Sequence, residues 1–441
     1  MTGAPDTPRR HLGLADATAV YAGIILGSGI FVAPAAIAGT APSIPAAMAL
    51  WLGGAVVAAC GACCYAECAA RMPSNGGFFV FNGEAYGPAV AFVGGWAAIF
   101  VTYPASIAAI ALVFAGYLGK TVGLSGWDRP AAAGALLAAG VLNVAGLRTG
   151  PRAQLALTSI KISALAAVAG AAVIFASRHA GAITARTAGT PTVPPAGWLA
   201  AVMILLFTYD GWSDVTLVAG EVTNPGRNIG RAVLFGTGVL ALVYGLTQAA
   251  VMVVLSPEGA AASSQPVADA VGAIGGASAA RAVSALVVLS TFGSILGTTF
   301  TVSRLGHAMA VRGAFFKGLA VLHPRWGTPA RATAALTGAA IAYALTGSFE
   351  QILTLFTFAV WIFYGITAVG LLILRSRGVG EPVSWRAPLG LTAPLVVIGV
   401  GALMTAQLVA ADPLRALAGA AILLAAFPAY ALIARSAARR R

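Results

Sequence analysis

Two stretches of this sequence set glycine beside polar side chains in the middle of otherwise apolar runs. Residues 22–31 read Ala-Gly-Ile-Ile-Leu-Gly-Ser-Gly-Ile-Phe, and residues 205–214 read Leu-Leu-Phe-Thr-Tyr-Asp-Gly-Trp-Ser-Asp. Glycine costs a helix about 1 kcal/mol against alanine, and clustering it with polar residues invites unwinding. An unwound point frees N–H groups at the start of one half-helix and carbonyls at the end of the other. The amide end suits a carboxylate and the carbonyl end suits an ammonium. A site with both matches the two charges of an amino-acid zwitterion. On this reading the amides around Gly27, Ser28, Gly29 and Ile30 face the carboxylate, with the Ser28 hydroxyl as an extra donor. Carbonyls near Ile24 and Ile25, with those near Phe207 and Thr208, take the ammonium, beside Tyr209, Asp210 and Gly211. The competing reading is that Gly27 and Gly29 only permit close helix packing. Two such breaks at matching places favour a transport site.

Other residues carry weaker signals. Lys161 lies inside an apolar run, where a cation is costly and usually marks function. It stands nine residues past Arg152, about 13 Å along a helix, so snorkelling of its stem is the rival reading. Asp210 and Asp214 are four apart, on one face if the helix persists. Asp210 reads as a pocket residue; Ser213 or Asp214 reads better as an N-cap of a second half-helix. Tyr103, Pro104 and Ser106 in the third span, with Trp361 and Tyr364 in the tenth, are candidate cavity residues or ordinary packing. Cys60, Cys63, Cys64 and Cys68 recur at helical spacing, and no second pair or nearby His completes a zinc set, so they read as small apolar residues. Glu67 and Glu84 are expected to pair with Arg71 or backbone, and His11, His179, His307 and His323 fall at span ends or loops. No hydrolase elbow, zinc-protease or phosphate-loop motif occurs, and no metal or cofactor is expected.

These residues need a membrane to position them. The chain has 441 residues, 59% apolar and 9% charged, against about a quarter charged in soluble domains. That excludes a soluble body, and four cysteines exclude a disulfide scaffold. Twelve spans are expected at 13–40, 44–69, 87–118, 130–147, 153–177, 197–220, 230–255, 281–304, 329–347, 349–374, 388–410 and 414–435. No leader peptide and no appended soluble domain is expected. Both ends on one side would put 19 Lys and Arg residues in the cytoplasm and 6 opposite, with Lys161 inside a span, so both termini read as cytoplasmic. The first set includes Arg9, Arg148, Arg152, Arg435 and Arg439 to Arg441; the second includes Arg178 and Arg186. The net charge of +13 is thus topology signalling, not a nucleic-acid surface. Twenty-three Arg against three Lys suggests a GC-rich bacterial genome and an inner-membrane location.

A resemblance joins the pieces. Gly27-Ser28-Gly29-Ile30-Phe31 is similar to the first-span signature of the amino acid–polyamine–organocation superfamily. Pro73-Ser74-Asn75-Gly76-Gly77 with Gly87-Pro88 and Gly94-Gly95-Trp96 resembles its segment between spans two and three. Phe207-Thr208-Tyr209-Asp210-Gly211-Trp212, Gly220-Glu221 and Asn224-Pro225 resemble the sixth span of its L-amino-acid transporter branch, and Ser303-Arg304 through His323-Pro324 and Gly327-Thr328-Pro329 resemble the loop after span eight. The resemblance implies an all-α LeuT-like fold with spans 1 and 6 discontinuous. Its inverted repeats would be 13–177 and 197–374, with 388–435 as two additional spans. It implies sodium-independent amino-acid transport by alternating access, as exchange or proton coupling. Lys161 would then occupy the place of a coupling cation, with Ser290 or Thr291 as hydroxyl partners, and Phe207 would gate the substrate. Eukaryotic members use a Cys between spans three and four to bind a single-span partner; 119–130 has none, so no such partner is expected. The rivals are a polyamine or organic-cation carrier and a non-transporting amino-acid sensor. An intramembrane enzyme would need a nucleophile–base or metal set.

Overall fold

A computed structural model of the chain describes residue 10 and residues 12–41, 43–123, 126–146, 151–178, 195–388 and 390–438. Arg9, His11, Arg148, His179, Arg186, Arg439, Arg440 and Arg441 lie outside the described residues, as do the side chains of Arg152 and Arg435. The described chain is all-helical apart from one isolated parallel bridge between Leu12 and Val222. The helices are α1 (Leu14–Ile25), α2 (Ala33–Ala38), α3 (Ile44–Arg71), α4 (Phe78–Tyr86), α5 (Pro88–Ala97), α6 (Tyr103–Val122), α7 (Asp128–Val144) and α8 (Pro151–Arg178). After them come α9 (Pro195–Thr208), α10 (Pro225–Ala262), α11 (Pro266–Val311), α12 (Ala330–Thr346), α13 (Phe349–Ser376), α14 (Thr392–Ala411), α15 (Pro413–Leu424) and α16 (Ala426–Ala438).

Eight helical stretches are long and apolar enough to cross a membrane: Ile44–Arg71, Pro88–Val122, Thr158–Arg178, Pro225–Ala262, Pro266–Val311, Phe349–Ser376, Thr392–Ala411 and Pro413–Ile433. α7 and α12 have 17 residues each, about 26 Å of helix and just short of a hydrocarbon core. Leu14–Ile25 and Gly197–Thr208 are shorter apolar helices. Local chemistry sets many of the ends. Proline occupies the first turn of α2, α3, α5, α6, α10, α11 and α15, where its missing N–H costs nothing. The Ser43 hydroxyl caps α3 through Ala46 N, and Ser348 with Gln351 forms a reciprocal cap on α13. A π-helical turn at Ala98–Thr102 joins α5 to α6.

The core is built on aromatic residues with polar handles. Trp51, Tyr209 and Tyr244 meet with ring centroids 5.2–5.7 Å apart. Trp51 Nε1 donates to Gln248 Oε1 at 3.0 Å, and Gln248 Nε2 donates to Pro34 O at 3.2 Å. That chain of bonds satisfies buried donors and ties α2 to α3 and α10. At the far end of α3, fully buried Glu67 accepts from Arg71, from Arg375 of α13 and from Ala387 N. Arg71 also reaches Val379 O and Glu381, so one carboxylate gathers two helices and the loop after them. The expected Glu67–Arg71 pairing is therefore present, within a larger cluster.

On the same side the start of α1 is stitched to a distant segment. Leu12 N donates to Glu221 O at 3.0 Å, and Thr223 N and Oγ1 both donate to Leu12 O at 2.8 and 3.0 Å. Asn75 holds the same segment, accepting from Gly220 N at 2.9 Å.

Candidate functional site

The first glycine-rich stretch leaves the helix where its sequence predicts. α1 ends at Ile25; Leu26, Gly27 and Ser28 are irregular; a 3-10 turn covers Gly29–Phe31 before α2 begins. Gly27 N turns back to Ile25 O at 2.6 Å. Among the described residues, the amides of Ser28, Gly29 and Ile30 meet no acceptor, and the carbonyl of Ile24 meets no donor. The Ser28 hydroxyl is buried and without a partner among the described residues. Buried polar groups are normally paired; here three amides and a hydroxyl lie together without an acceptor among the described residues. Tyr117 holds the turn in place by donating to Phe31 O at 2.9 Å.

The second stretch behaves alike. α9 ends at Thr208, Tyr209 to Ser213 form turns, and a 3-10 segment covers Asp214–Glu221. Gly211 has φ +100°, a conformation closed to side chains with a Cβ. The two irregular points abut. A Cβ on Gly29 would lie 2.5 Å from Thr208 Oγ1 and 2.7 Å from Thr208 Cα, and one on Gly211 would lie 2.8 Å from Ile24 Cγ2. Tyr244 of α10 bridges them, donating to Ile25 O at 3.1 Å and reaching Thr208 O at 3.4 Å.

A cavity opens where they meet. Of the residues singled out in the sequence, Ile24, Ile25, Gly27, Ser28, Gly29, Phe207, Asp210 and Gly211 line it. Three expected residues do not. Tyr209 turns the other way and donates to Trp51 O at 3.1 Å, Ile30 is fully buried behind the turn, and Thr208 packs on Gly29 with its hydroxyl on Ile204 O. Once the helix breaks, its face periodicity no longer says which side chain points inward. Of the flanking candidates, Tyr103, Ser106 and Tyr364 line the cavity, whereas Pro104 and Trp361 do not. Tyr65, Phe356 and Phe363 also line it and escaped the sequence reading as apolar residues in apolar runs, and so do Ser294 and Thr298, one and two turns past Ser290 on the same face. Phe207 meets Phe356 edge to face at 5.3 Å.

The carboxylates are held by phenols. Tyr364 Oη donates to Asp210 Oδ1 at 2.5 Å, and Tyr103 Oη donates to Asp214 Oδ1 at 2.7 Å, where the Ser213 hydroxyl also reaches at 3.1 Å. The N-cap expected of Ser213 or Asp214 is absent: Ser213 makes no side-chain cap, and Asp214 turns to Tyr103 instead of to backbone amides. A phenol donor in the cavity wall outcompetes the frayed 3-10 turn.

Lys161 does not snorkel. It is 4% exposed, and its ammonium donates to Leu26 O at 2.9 Å and Ser294 Oγ at 3.4 Å. The hydroxyl partner is Ser294, one turn along α11 from the two expected. Thr291 bonds back to Val287 O, and the Ser290 hydroxyl has no partner among the described residues. Cys63, Cys64 and Cys68 are buried in α3 and Cys60 is half-buried, all as free thiols.

The chain resembles known proteins over most of its length. The sequence profile of the family described as amino acid permease matches residues 12–431. The b(0,+)-type amino acid transporter 1 of Mus musculus is 29% identical over 414 residues, 92% of this chain and 84% of the relative. Asc-type amino acid transporter 1 of Mus musculus is also 29% identical, over 96% of this chain and 81% of its own length. The serine/threonine exchanger SteT of Bacillus subtilis (strain 168) is 27% identical over 96% of both chains. With a family match running over nearly the whole sequence, the chain belongs to the amino acid permease family of the amino acid–polyamine–organocation superfamily, and it is a membrane transport protein and not an enzyme.

Proposed function

We propose that the protein carries amino acids across a bacterial inner membrane by alternating access, without sodium. The open amides of Ser28, Gly29 and Ile30, with the unpartnered Ser28 hydroxyl, receive the substrate carboxylate. The unpaired Ile24 carbonyl and its neighbours receive the α-ammonium. Phe207 closes over the bound solute, seated on Phe356. Lys161 supplies a fixed positive charge between the first break and α11, in the place of a coupling cation.

In this reading α1 and α2 are halves of one span, α9 and Asp214–Glu221 halves of another, and twelve spans arise with both termini cytoplasmic. Residues 13–177 and 197–374 form two inverted repeats, 388–435 adds two spans, and the chain works without a disulfide-linked partner. Transport by the relatives named above, one of them an exchanger, supports exchange as the mode; proton coupling is the other.

The observation that carries the proposal is the pair of abutting helix ends with open amides and an unpaired hydroxyl beside one cavity. Proteoliposomes preloaded with unlabelled amino acids test it. Labelled amino acid enters by counterflow without sodium, and external substrate drives efflux. Binding without counterflow supports a sensor; saturable uptake absent with and without a proton gradient overturns the proposal.

A further inference from the structure

The charge of the cavity wall does not match a neutral zwitterion. Asp210 and Asp214 both line it, and no Lys, Arg or His is among its lining residues. Lys161 stands behind the wall, on Leu26 O and on the lining residue Ser294, and sets one positive charge against the two. Both carboxylates lie outside the ion pairs of the described residues, which gather instead at Glu67, Glu381 and Asp412. A carboxylate in a bilayer-spanning protein is costly unless a positive charge or several donors offset it. Asp214 has two donors, Tyr103 and Ser213, and both go to Oδ1; Oδ2 has none among the described residues.

An amino acid with an apolar side chain brings one positive and one negative charge. Its carboxylate is met by the amides of the first break, and its α-ammonium offsets one wall carboxylate at most. Being neutral overall, such a solute leaves two wall carboxylates against the single charge of Lys161. The rest of the wall is rich in aromatic faces, with Tyr65, Phe78, Tyr103 and Tyr364 among them, and such rings attract ammonium groups. Carboxylate plus aromatic faces is ammonium-receiving chemistry, and here it is present twice.

We infer that the substrate is an amino acid whose side chain ends in a cationic nitrogen, and that Asp214, oriented by Tyr103, is the specificity-determining receptor for it. The inference rests on the cavity being the substrate site and narrows what that site accepts. The α-ammonium sits at the Ile24 carbonyl near Asp210, and the chain of methylenes carries the second charge to Asp214. With Lys161 counted, its charge and the substrate's net single positive charge balance the two wall carboxylates, so occupancy relieves the cost of the unpaired charge.

The experiment compares L-lysine with L-norleucine, its isostere without the ammonium, in proteoliposome counterflow, with 1,4-diaminobutane as a third solute. Lysine is expected to half-saturate transport at a concentration at least tenfold below norleucine. Asp214→Asn, which keeps an oxygen for Tyr103, is expected to lower the lysine-to-norleucine preference at least tenfold, and Asp214→Glu to recover part of it. Equal handling of the two amino acids by the parent protein overturns the inference even if the variants do not fold. Norleucine carried without lysine also overturns it while leaving amino-acid transport standing. Diaminobutane carried with neither amino acid overturns the inference and the zwitterion cradle together. Carriage of none of the three overturns the transport reading with it.

Discussion

Gly29→Ala is the sharpest test of the contact between the two broken stretches. A Cβ there would lie 2.5 Å from Thr208 Oγ1, 2.7 Å from Thr208 Cα and 2.8 Å from Thr208 Cβ. Two of these atoms are fixed to the main chain, so no rotamer change relieves them. Ordinary contact begins at 3.4 Å, and the two stretches must therefore part by about 0.7 Å. Overpacking of this kind costs roughly 1–3 kcal/mol. If the strain falls on the substrate-holding geometry, half-saturation rises roughly five- to 150-fold. The control is Gly338→Ala in α12, where a Cβ meets nothing within 4 Å and the helix gains up to about 1 kcal/mol. Thermal unfolding in detergent and counterflow kinetics read both variants. The geometric argument is refuted if Gly29→Ala unfolds and transports like the parent protein, or if Gly338→Ala is the more damaged of the two.

Lys161→Met removes the ammonium from Leu26 O and Ser294 Oγ; a hydrogen bond from a charged group is worth about 1.5–3 kcal/mol, so counterflow should fall more than tenfold, and unchanged flux would remove Lys161 from the mechanism. Arg375→Met leaves the buried Glu67 carboxylate short of a partner, at a cost of roughly 3–5 kcal/mol. The double variant Glu67→Gln/Arg375→Met should lose less than the sum, which a double-mutant cycle in melting temperature checks. Burial works against ionisation of Glu381, but Arg386 and Arg71 outweigh it and hold the carboxyl below its ordinary value. Its contribution is therefore present above the ordinary carboxylate range, about pH 4.3, and is lost as pH falls through the lowered folded value. Melting temperature followed down the acid limb should fall less in Glu381→Gln than in the parent; equal slopes would show that the pairing contributes nothing.

The sequence is most legible where one residue type has one physical use. Gly27, Gly29 and Gly211 stand out because glycine beside Ser28 and Asp210 in an apolar run suits a helix end or a close approach, and both occur there. Lys161 stands out because a cation in such a run needs acceptors, and it has them. Direction within a break is not legible. Tyr209 and Asp210 are neighbours, yet one bonds Trp51 O behind the cavity and the other meets Tyr364 in its wall. Register is legible only to a turn, since Ser290, Thr291 and Ser294 offer three hydroxyls to one ammonium. Tyr65 and Tyr244 stay hidden for a different reason: with lipid outside and protein inside equally apolar, hydropathy no longer marks the inward face of a helix.

On the proposed alternating-access cycle, the stitch between Leu12 and the Glu221–Thr223 segment would set a threshold on the mouth it closes. Three hydrogen bonds hold it, each worth about 0.5–1.5 kcal/mol net, so springing it open takes roughly 2–4 kcal/mol. Such a threshold would keep the exit shut in all but a few molecules in a hundred, yet lie within what one well-seated solute can offset. Cargo, more than thermal chance, would then decide when that door swings.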